Sequence, residues 1–336
     1  GAVSQATYGR PTKWVAWSLL AKLYINAEVY TGKSRYTEAI EACNAVIHAD
    51  ANGDGAEDNP FALEANYLSI FDTKNGPQIK EIIFAASYDQ AFNATGMRLA
   101  RHPLHPSLRA KYGLPTTISV GNCLSTWGDF YALYNDPKDV RNAMWLAGEQ
   151  FAADGVTPIK DGSFHVKFVP GIAFSDITKF DRGTDKASLA EGIRNIKYAP
   201  DPSWTSSRDA RNDFVIFRYA DILLMKAEAL IQGGVDHSAA PQTALELVNV
   251  LRVKRGADAF SSVDIESLFS ERSREMAYEG WRRNDLIRFG KWENTWGKDE
   301  TTGLAVKTNK EIHKRLYPIP VNELASNKLL KQNPGY

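Results

Sequence analysis

Apolar residues recur at alternating intervals of three and four positions in two separate parts of the chain. The residues are Trp14, Trp17, Ala21 and Tyr24 in the first part, and Phe217, Ala220, Leu224 and Ala227 in the second. This spacing is typical of an amphipathic α-helix that packs against neighbouring helices through one face. In both parts a short turn follows, and after it comes a second apolar helical stretch, over 39–46 and over 244–251.

The two parts therefore form an internal repeat of helical pairs. Each pair spans about 35 to 40 residues, which is the length of tetratricopeptide-type repeats. A third helical segment is predicted over 264–289, with a break near Gly280 and a C-terminal cap at Gly290. The sequence thus predicts a mostly α fold, a tetratricopeptide-like scaffold of helical pairs.

Between the pairs the helical spacing fades, and Gly, Pro, Asn and Asp become frequent. The apolar stretch 80–86 predicts one short strand or buried extended piece. A long irregular region that is rich in aromatic residues is typical of an ordered functional segment. We expect a single domain over 1–336, with a helical scaffold (1–50 and 213–290), an irregular ligand-facing insertion (51–212) and a C-terminal extended segment (291–336).

The composition is that of a globular protein, with 43% apolar, 24% charged and 11% aromatic residues. Forty Lys and Arg balance forty Asp and Glu, so the chain lacks the excess positive charge that attracts nucleic acids or anionic membranes. We therefore expect no nucleic-acid partner, and the balance is compatible with uncharged sugars as ligands. The two cysteines form no disulfide framework or zinc motif, and no run of about eighteen apolar residues predicts a membrane span.

No motif for a phosphate-binding loop, a nucleophile elbow or a zinc hydrolase is present, so the sequence predicts neither a cofactor nor an enzyme. The densest charge cluster, 271–285, places Glu271, Glu275 and Glu279 on one helix face. Paired carboxylates are the acid and base of glycoside cleavage, but interleaved arginines lower carboxylate pKa values. We interpret the cluster as a structural ion-pair network. A glycosidase that uses Asp129 or Glu279 stays as an alternative.

The stretch 50–58 begins like a calcium-binding loop. Asp50, Asn52 and Asp54 offer oxygen ligands at alternate positions, and a glycine stands at the sixth position. The twelfth position, which holds a bidentate glutamate in such loops, is Phe61. We interpret the stretch as an acidic surface turn and keep the three residues as a calcium candidate with an incomplete ligand set.

Many aromatic residues of the irregular region lie among Asn, Asp, Gln, Ser and Gly rather than in apolar runs. Flat rings beside hydrogen-bonding groups suit sugars, which present apolar C–H faces together with hydroxyl groups. The alternative for any single ring is that it fills the core beneath a loop. The candidate ligand-binding residues are Tyr88, Trp127, Tyr131, Tyr134 and Trp204.

Four blocks of the sequence resemble the SusD/RagB family. The blocks are 9–24, 212–229, 271–292 and 316–336, and they include Gly280-Trp281-Arg282-Arg283-Asn284-Asp285 and Leu316-Tyr317-Pro318-Ile319-Pro320. They occur in the family's order and are spread over nearly the whole chain. The family's ligand-binding residues vary too much for any of them to be carried over to this sequence by position.

The resemblance implies a non-catalytic protein that binds oligo- or polysaccharide and delivers it to a SusC-like TonB-dependent transporter. It also implies a lipoprotein on the extracellular face of a Gram-negative outer membrane. A peptide-binding lid of a RagB-like importer is the alternative, and a purely structural helical adaptor is another. Family members carry a lipid-modified cysteine and a helical segment before the Gly-Arg block, which starts here at Gly9. We therefore expect this sequence to lack an N-terminal part and its lipid anchor.

Overall fold

The computed structural model describes residues 3–88, 96–179, 181, 183–203, 210–308 and 311–336. The α-helices are α1 (Lys13–Ile25), α2 (Ala27–Thr31), α3 (Tyr36–Ile47), α4 (Gly128–Tyr131), α5 (Lys186–Ala190), α6 (Tyr219–Ile231), α7 (Ala244–Lys254), α8 (Ile265–Glu275), α9 (Arg282–Arg288) and α10 (Val321–Ser326). The strands are β1 (Ile82–Ala86), β2 (Trp145–Leu146), β3 (Gly148–Glu149), β4 (Lys160–Asp161), β5 (Phe164–His165), β6 (Lys167–Phe168), β7 (Arg194–Asn195), β8 (Phe214–Arg218), β9 (Thr295–Lys298) and β10 (Ala305–Thr308). Short 3₁₀ turns connect several of them.

The predicted helical pairs are confirmed. Helix α1 packs on α3, α3 on α6, and α6 on α7, and their apolar side chains form one continuous core with α8. The side chain of Thr12 accepts a hydrogen bond from the Val15 amide at the start of α1, and Thr243 forms a capping box with Glu246 at the start of α7. Among the described residues, no helix is both long and apolar enough to cross a bilayer.

Two details of the predicted apolar faces are wrong. Phe217 belongs to strand β8, because the backbone is extended until Arg218 and helix α6 begins only at Tyr219. Trp17 is 38% exposed, and it does not join the buried face of α1 with Trp14 and Ala21. The cause is that α1 is apolar on more than one side, so spacing alone does not identify the face that is buried.

The predicted strand in the irregular region is confirmed as β1, which pairs antiparallel with β8 and so joins this region to the start of α6. The other strands in the middle of the chain are two residues long and form two-stranded pairs. Two further apolar cores lie in this region, one around Phe71 and Trp145 and one around Leu108 and Phe168. The irregular region is thus packed around its own side chains.

A buried ion-pair network connects the irregular region to the helices, as the charge cluster predicts. Glu275 on α8 pairs with Arg141, Arg218 and Arg255, while Glu279 pairs with Arg218 and Lys197. Burial alone would raise the pKa of the Glu275 carboxyl, but the surrounding arginines hold it well below its usual value. The carboxylate therefore stays ionised inside the protein.

Helix α8 ends at Glu275, and the chain turns before α9 begins at Arg282. Glu279 lies in this turn, so its predicted place on one helix face with Glu271 and Glu275 is wrong. Gly280 lies in this turn with a φ of +84°, which confirms the predicted break. Gly290 follows α9 with a φ of +65°, and the amide of Lys291 donates to the carbonyl of Leu286 at 2.7 Å. Gly290 is therefore a C-terminal cap, as predicted.

Candidate ligand-binding site

A pocket of about 510 Å³ lies where the irregular region meets helices α8 and α9 and strand β9. One wall comes from 125–133, and the others come from 269–296. The lining residues that carry the argument below are Thr126, Trp127, Asp129, Tyr278, Arg282 and Trp296. The size of this pocket falls in the range of small-molecule sites.

The backbone around Trp127 is held on both sides. Thr126, which precedes it, forms a two-way β-bridge with Ile193, with N···O distances of 2.7 and 3.1 Å. Gly128, which follows it, opens helix α4 and lies so close to Pro170 that a Cβ atom there would come within 3.0 Å. These contacts fix the position of the partly buried Trp127 ring at the edge of the pocket.

Strand β9 places a second indole beside the first. The ring centroids of Trp127 and Trp296 are 6.1 Å apart, and the ring planes form an angle of 68°. Gly297, the next residue of β9, packs under the Trp127 ring, and its amide donates to Asp129 Oδ2 at 3.0 Å. The strand and helix α4 therefore position two partly buried tryptophans and one carboxylate at the same opening.

Tyr278 reaches the pocket from the turn between α8 and α9. Its φ is +61°, in the left-handed region that non-glycine residues seldom adopt. The hydroxyls of Tyr278 and Thr126 are 3.0 Å apart and share a hydrogen bond. Burial raises the pKa of the Tyr278 phenol, so the hydroxyl is neutral and both donates and accepts.

Arg282, at the start of α9, supplies a positive charge to the pocket. Its guanidinium lies 5.2 Å from the ring centroid of Phe130 and 4.5 Å from that of Phe269, which is the geometry of cation–π contact. It also donates to the Ser273 hydroxyl. Burial lowers the pKa of Arg282, but the group remains charged at neutral pH.

Taken together, these groups can stack on apolar faces and hydrogen-bond hydroxyl groups. The two indoles supply flat apolar surface, while Tyr278, Asp129 and Arg282 supply donors and acceptors around them. Within the described ranges, no group of three or more His, Cys, Asp and Glu is arranged to hold a metal ion.

The structure separates the predicted aromatic residues. Trp127 lines the pocket, whereas Tyr131 packs on Trp145 with ring centroids 6.0 Å apart. Tyr134 is 9% exposed, and its hydroxyl donates to the Arg274 carbonyl at 2.9 Å. Tyr88 is partly buried away from the pocket, with its amide bonded to Asp213 Oδ1. Trp204 lies outside the described residues.

The calcium candidate is a surface turn whose side-chain oxygens accept hydrogen bonds from the main chain. Asp50 accepts from the amides of Gly53 and Gly55, at 2.6 and 2.9 Å. Asn52 accepts from the Asp54 amide, and Asp54 accepts from that of Ala56. This is the acidic turn of the sequence interpretation, stabilised by its own backbone.

Sequence reasoning missed most of the residues that line the pocket. Phe269, Tyr278, Arg282 and Trp296 lie in or after the helical scaffold, which the sequence alone marks as structural. Trp296 carried the same signal as the chosen residues, because it stands between Thr295 and Gly297 and outside any apolar run. The missing information was that β9 folds back against helix α4.

Comparisons with known proteins relate this chain to a protein family. The profile of the SusD family matches residues 179–336. The chain is 26% identical over 376 residues to the starch-binding protein SusD of Bacteroides thetaiotaomicron, with 99% of this chain and 62% of that protein covered. The chain therefore spans less than two thirds of the length of that relative.

Solved structures share the fold. A laminarin-binding SusD-like protein superimposes with a TM-score of 0.65 at 21% identity, covering 100% of this chain and 65% of that one. Surface glycan-binding protein A from Bacteroides fluxus superimposes with a TM-score of 0.65 at 23% identity, covering 99% of this chain and 64% of that one. The helical scaffold and its irregular insertion are thus a known architecture.

Proposed function

We propose that this chain is a member of the SusD family and that it binds oligo- or polysaccharide without cleaving it, in the pocket between helix α4, the α8–α9 turn and strand β9. The observation that carries the proposal is the pair of partly buried indoles, Trp127 and Trp296, surrounded by hydroxyl, carboxylate and guanidinium groups. Sugars match this combination, because their C–H faces stack on rings while their hydroxyls bond to polar neighbours. The named ligands of the relatives, starch and laminarin, are polysaccharides.

Binding without catalysis also fits the carboxylates of the site. Glu279 is buried and paired with Arg218 and Lys197, and it is not among the residues that line the pocket. Asp129 accepts hydrogen bonds from the amides of Phe130 and Gly297. Cleavage of a glycosidic bond requires two carboxylates that flank the bond, and the pocket lining offers one.

We further propose that the whole protein acts at the extracellular face of an outer membrane, where it passes its glycan to a SusC-like TonB-dependent transporter. The match to the SusD family supports this proposal. Co-purification of the full-length, lipid-anchored protein with such a transporter from outer membranes tests it, and the proposal fails if the protein fractionates away from every transporter of that type.

Calorimetric titration of the protein with neutral oligosaccharides, such as those derived from laminarin and starch, tests the binding function. Trp296→Ala removes one stacking surface and is expected to weaken binding about 5- to 150-fold, by analogy with the roughly 1–3 kcal/mol that a stacked nucleobase contributes. Trp17→Ala is the matched control, because Trp17 is an exposed tryptophan on α1 and lies outside the pocket. It should leave the affinity unchanged.

The same titration distinguishes the alternative ligand. A peptide site would present main-chain amides along a cleft, whereas aromatic side chains make up much of this pocket. Tight binding of oligopeptides together with no binding of any saccharide, neutral or acidic, would contradict the proposed function. Release of reducing sugar during long incubation would contradict its non-catalytic part.

A further inference from the structure

Arg282 lines the pocket and forms no ion pair with a carboxylate of the described residues. We propose that the saccharide bound there carries an anionic group, a carboxylate or a sulfate ester, and that Arg282 binds this group. The inference rests on the proposed function and narrows its ligand class. It starts from the contacts of Arg282, which are two aromatic rings and the neutral hydroxyl of Ser273.

Five of the other buried arginines are neutralised. Each pairs with at least one carboxylate: Arg141, Arg218, Arg255, Arg272 and Arg288. Within the described part of the chain, Arg282 forms no such ion pair. A partly buried charge that is left without a counter-ion costs free energy, because burial removes the water that would solvate it.

The rings that hold Arg282 compensate for only part of that cost. Cation–π contact contributes about 0.5–2 kcal/mol, and the rings of Phe130 and Phe269 offer no acceptor for the remaining N–H groups. The planar guanidinium presents paired donors that match the two oxygens of a carboxylate or sulfate. Burial lowers the pKa of Arg282, in keeping with a cation that is poorly solvated in the free protein.

The remaining charges of the pocket are compatible with an anionic group beside Arg282. Asp129 is the acidic residue of the lining, and its two carboxylate oxygens accept from the amides of Phe130 and Gly297. Lys291 adds a second positive charge to the wall, although it also pairs with Glu266 at 2.7 Å. An anion beside Arg282 is therefore attracted by two cations and repelled by Asp129. The charge of Asp285 also reaches Arg282, but that carboxylate is neutralised by ion pairs with Arg272 and Arg288.

The experiment compares neutral and acidic oligosaccharides of equal length by calorimetry at low ionic strength. One acidic arm is an oligogalacturonate and the other is a sulfated galactan oligosaccharide, so the two arms distinguish carboxylate from sulfate. At least one acidic ligand is expected to bind about 10- to 100-fold more tightly than the neutral ones, since hydrogen bonds to charged groups are the stronger class. This preference should fall as salt is added.

Arg282→Gln is expected to abolish the preference, so that acidic and neutral ligands of equal length bind with similar affinity. Arg282→Lys, which keeps the charge but loses the paired donors, should retain part of the preference. Arg283→Gln is the matched control, because it removes the same charge from the same helix at a residue outside the pocket lining. Equal melting temperatures of the three variants would show that folding is not the cause of any change.

The outcomes separate this inference from the proposed function. If neutral saccharides bind as tightly as acidic ones, the anionic ligand is wrong. If Arg282→Gln keeps the preference, Arg282 is not the residue that binds the anionic group. In both cases the glycan-binding function stands. If no saccharide of either kind binds, both are wrong. Acidic ligands that bind tightly to the wild type and weakly to Arg282→Gln support both.

Discussion

Lys197 illustrates at the residue scale how a buried charge positions part of the pocket. Its ammonium donates to the carbonyls of Glu275 and Ala277, at 2.9 and 2.8 Å, and to Glu279 Oε1 at 2.5 Å. Those residues surround Tyr278, whose backbone is in the left-handed region. Burial lowers the pKa of Lys197 to about 8, against the attraction of Glu279, so the lysine is mainly protonated at neutral pH.

Lys197→Met is expected to lower the free energy of unfolding by about 3 kcal/mol, because it leaves two buried carbonyls and one carboxylate oxygen of Glu279 without this donor. Arg218 still pairs with Glu279, which keeps the loss at the lower end of the range for broken buried ion pairs. Urea unfolding at pH 7 measures the change. Lys160→Met, at an exposed lysine of β4, is the control, and an equal loss in both variants would contradict the positioning role.

At the scale of elements, the β9–β10 hairpin sets the position of Trp127. Gly297 on β9 has a φ of +68°, and a Cβ atom there would come within 3.0 to 3.1 Å of three ring atoms of Trp127. Such approaches force a shift of the ring or of the strand. The pocket therefore depends on a hairpin distant in sequence from helix α4.

Gly297→Ala should displace Trp127 and weaken saccharide binding about tenfold or more, in addition to a backbone cost of about 1–2 kcal/mol. Gly303→Ala is the matched control in the same hairpin. It has nearly the same φ, +70°, but its Cβ would meet only Lys298 Cε at 3.7 Å. Both variants are expected to lose stability, and only the first should lose affinity and shift the tryptophan fluorescence. Equal affinities of the two variants would contradict the role of Gly297 in positioning Trp127.

The elements also show which features can be predicted from the sequence and which cannot. The helical pairs and the carboxylate face of α8 follow from three- and four-residue spacing, which is local information. The pocket requires the contact between helix α4 and strand β9, which are more than 160 residues apart, as the 168-residue separation of Asp129 and Gly297 shows. A local spacing pattern carries no information about such a contact. The sequence therefore identifies Trp127 as a candidate but gives no reason to place Trp296 beside it.

At the scale of the whole molecule, the net charge of zero does not describe how the charges are distributed. Buried carboxylates and arginines neutralise each other between the irregular region and helices α6 to α9, whereas Arg282 in the pocket forms no ion pair within the described residues. The overall balance thus says little about the charge of the ligand. The buried ion pairs explain how two regions with separate apolar cores are joined, since Arg141 and Lys197 of the irregular region pair with Glu271 and Glu279.

This network predicts the response of the whole protein to acid. Burial would raise the pKa values of Asp221, Glu271, Glu275 and Asp285, but neighbouring cations lower all four below their ordinary values. The unfolded chain therefore binds protons at a higher pH than the folded one does. The stability that these carboxylates contribute is complete above about pH 5 and is lost as the pH falls through their folded pKa values.

Urea unfolding at pH 7, 5, 4 and 3 should therefore show a free energy of unfolding that is nearly constant down to about pH 5 and then falls by several kcal/mol toward pH 3. Glu275→Gln should be less stable at pH 7, because Arg141, Arg218 and Arg255 lose a shared counter-ion, and its loss between pH 5 and pH 3 should be smaller. Glu149→Gln, at an exposed residue of β3, should retain the full wild-type pH dependence. A wild type whose stability does not fall below pH 5 would mean that the buried carboxylates are not ionised at neutral pH, and that the network does not join the two regions as charged pairs.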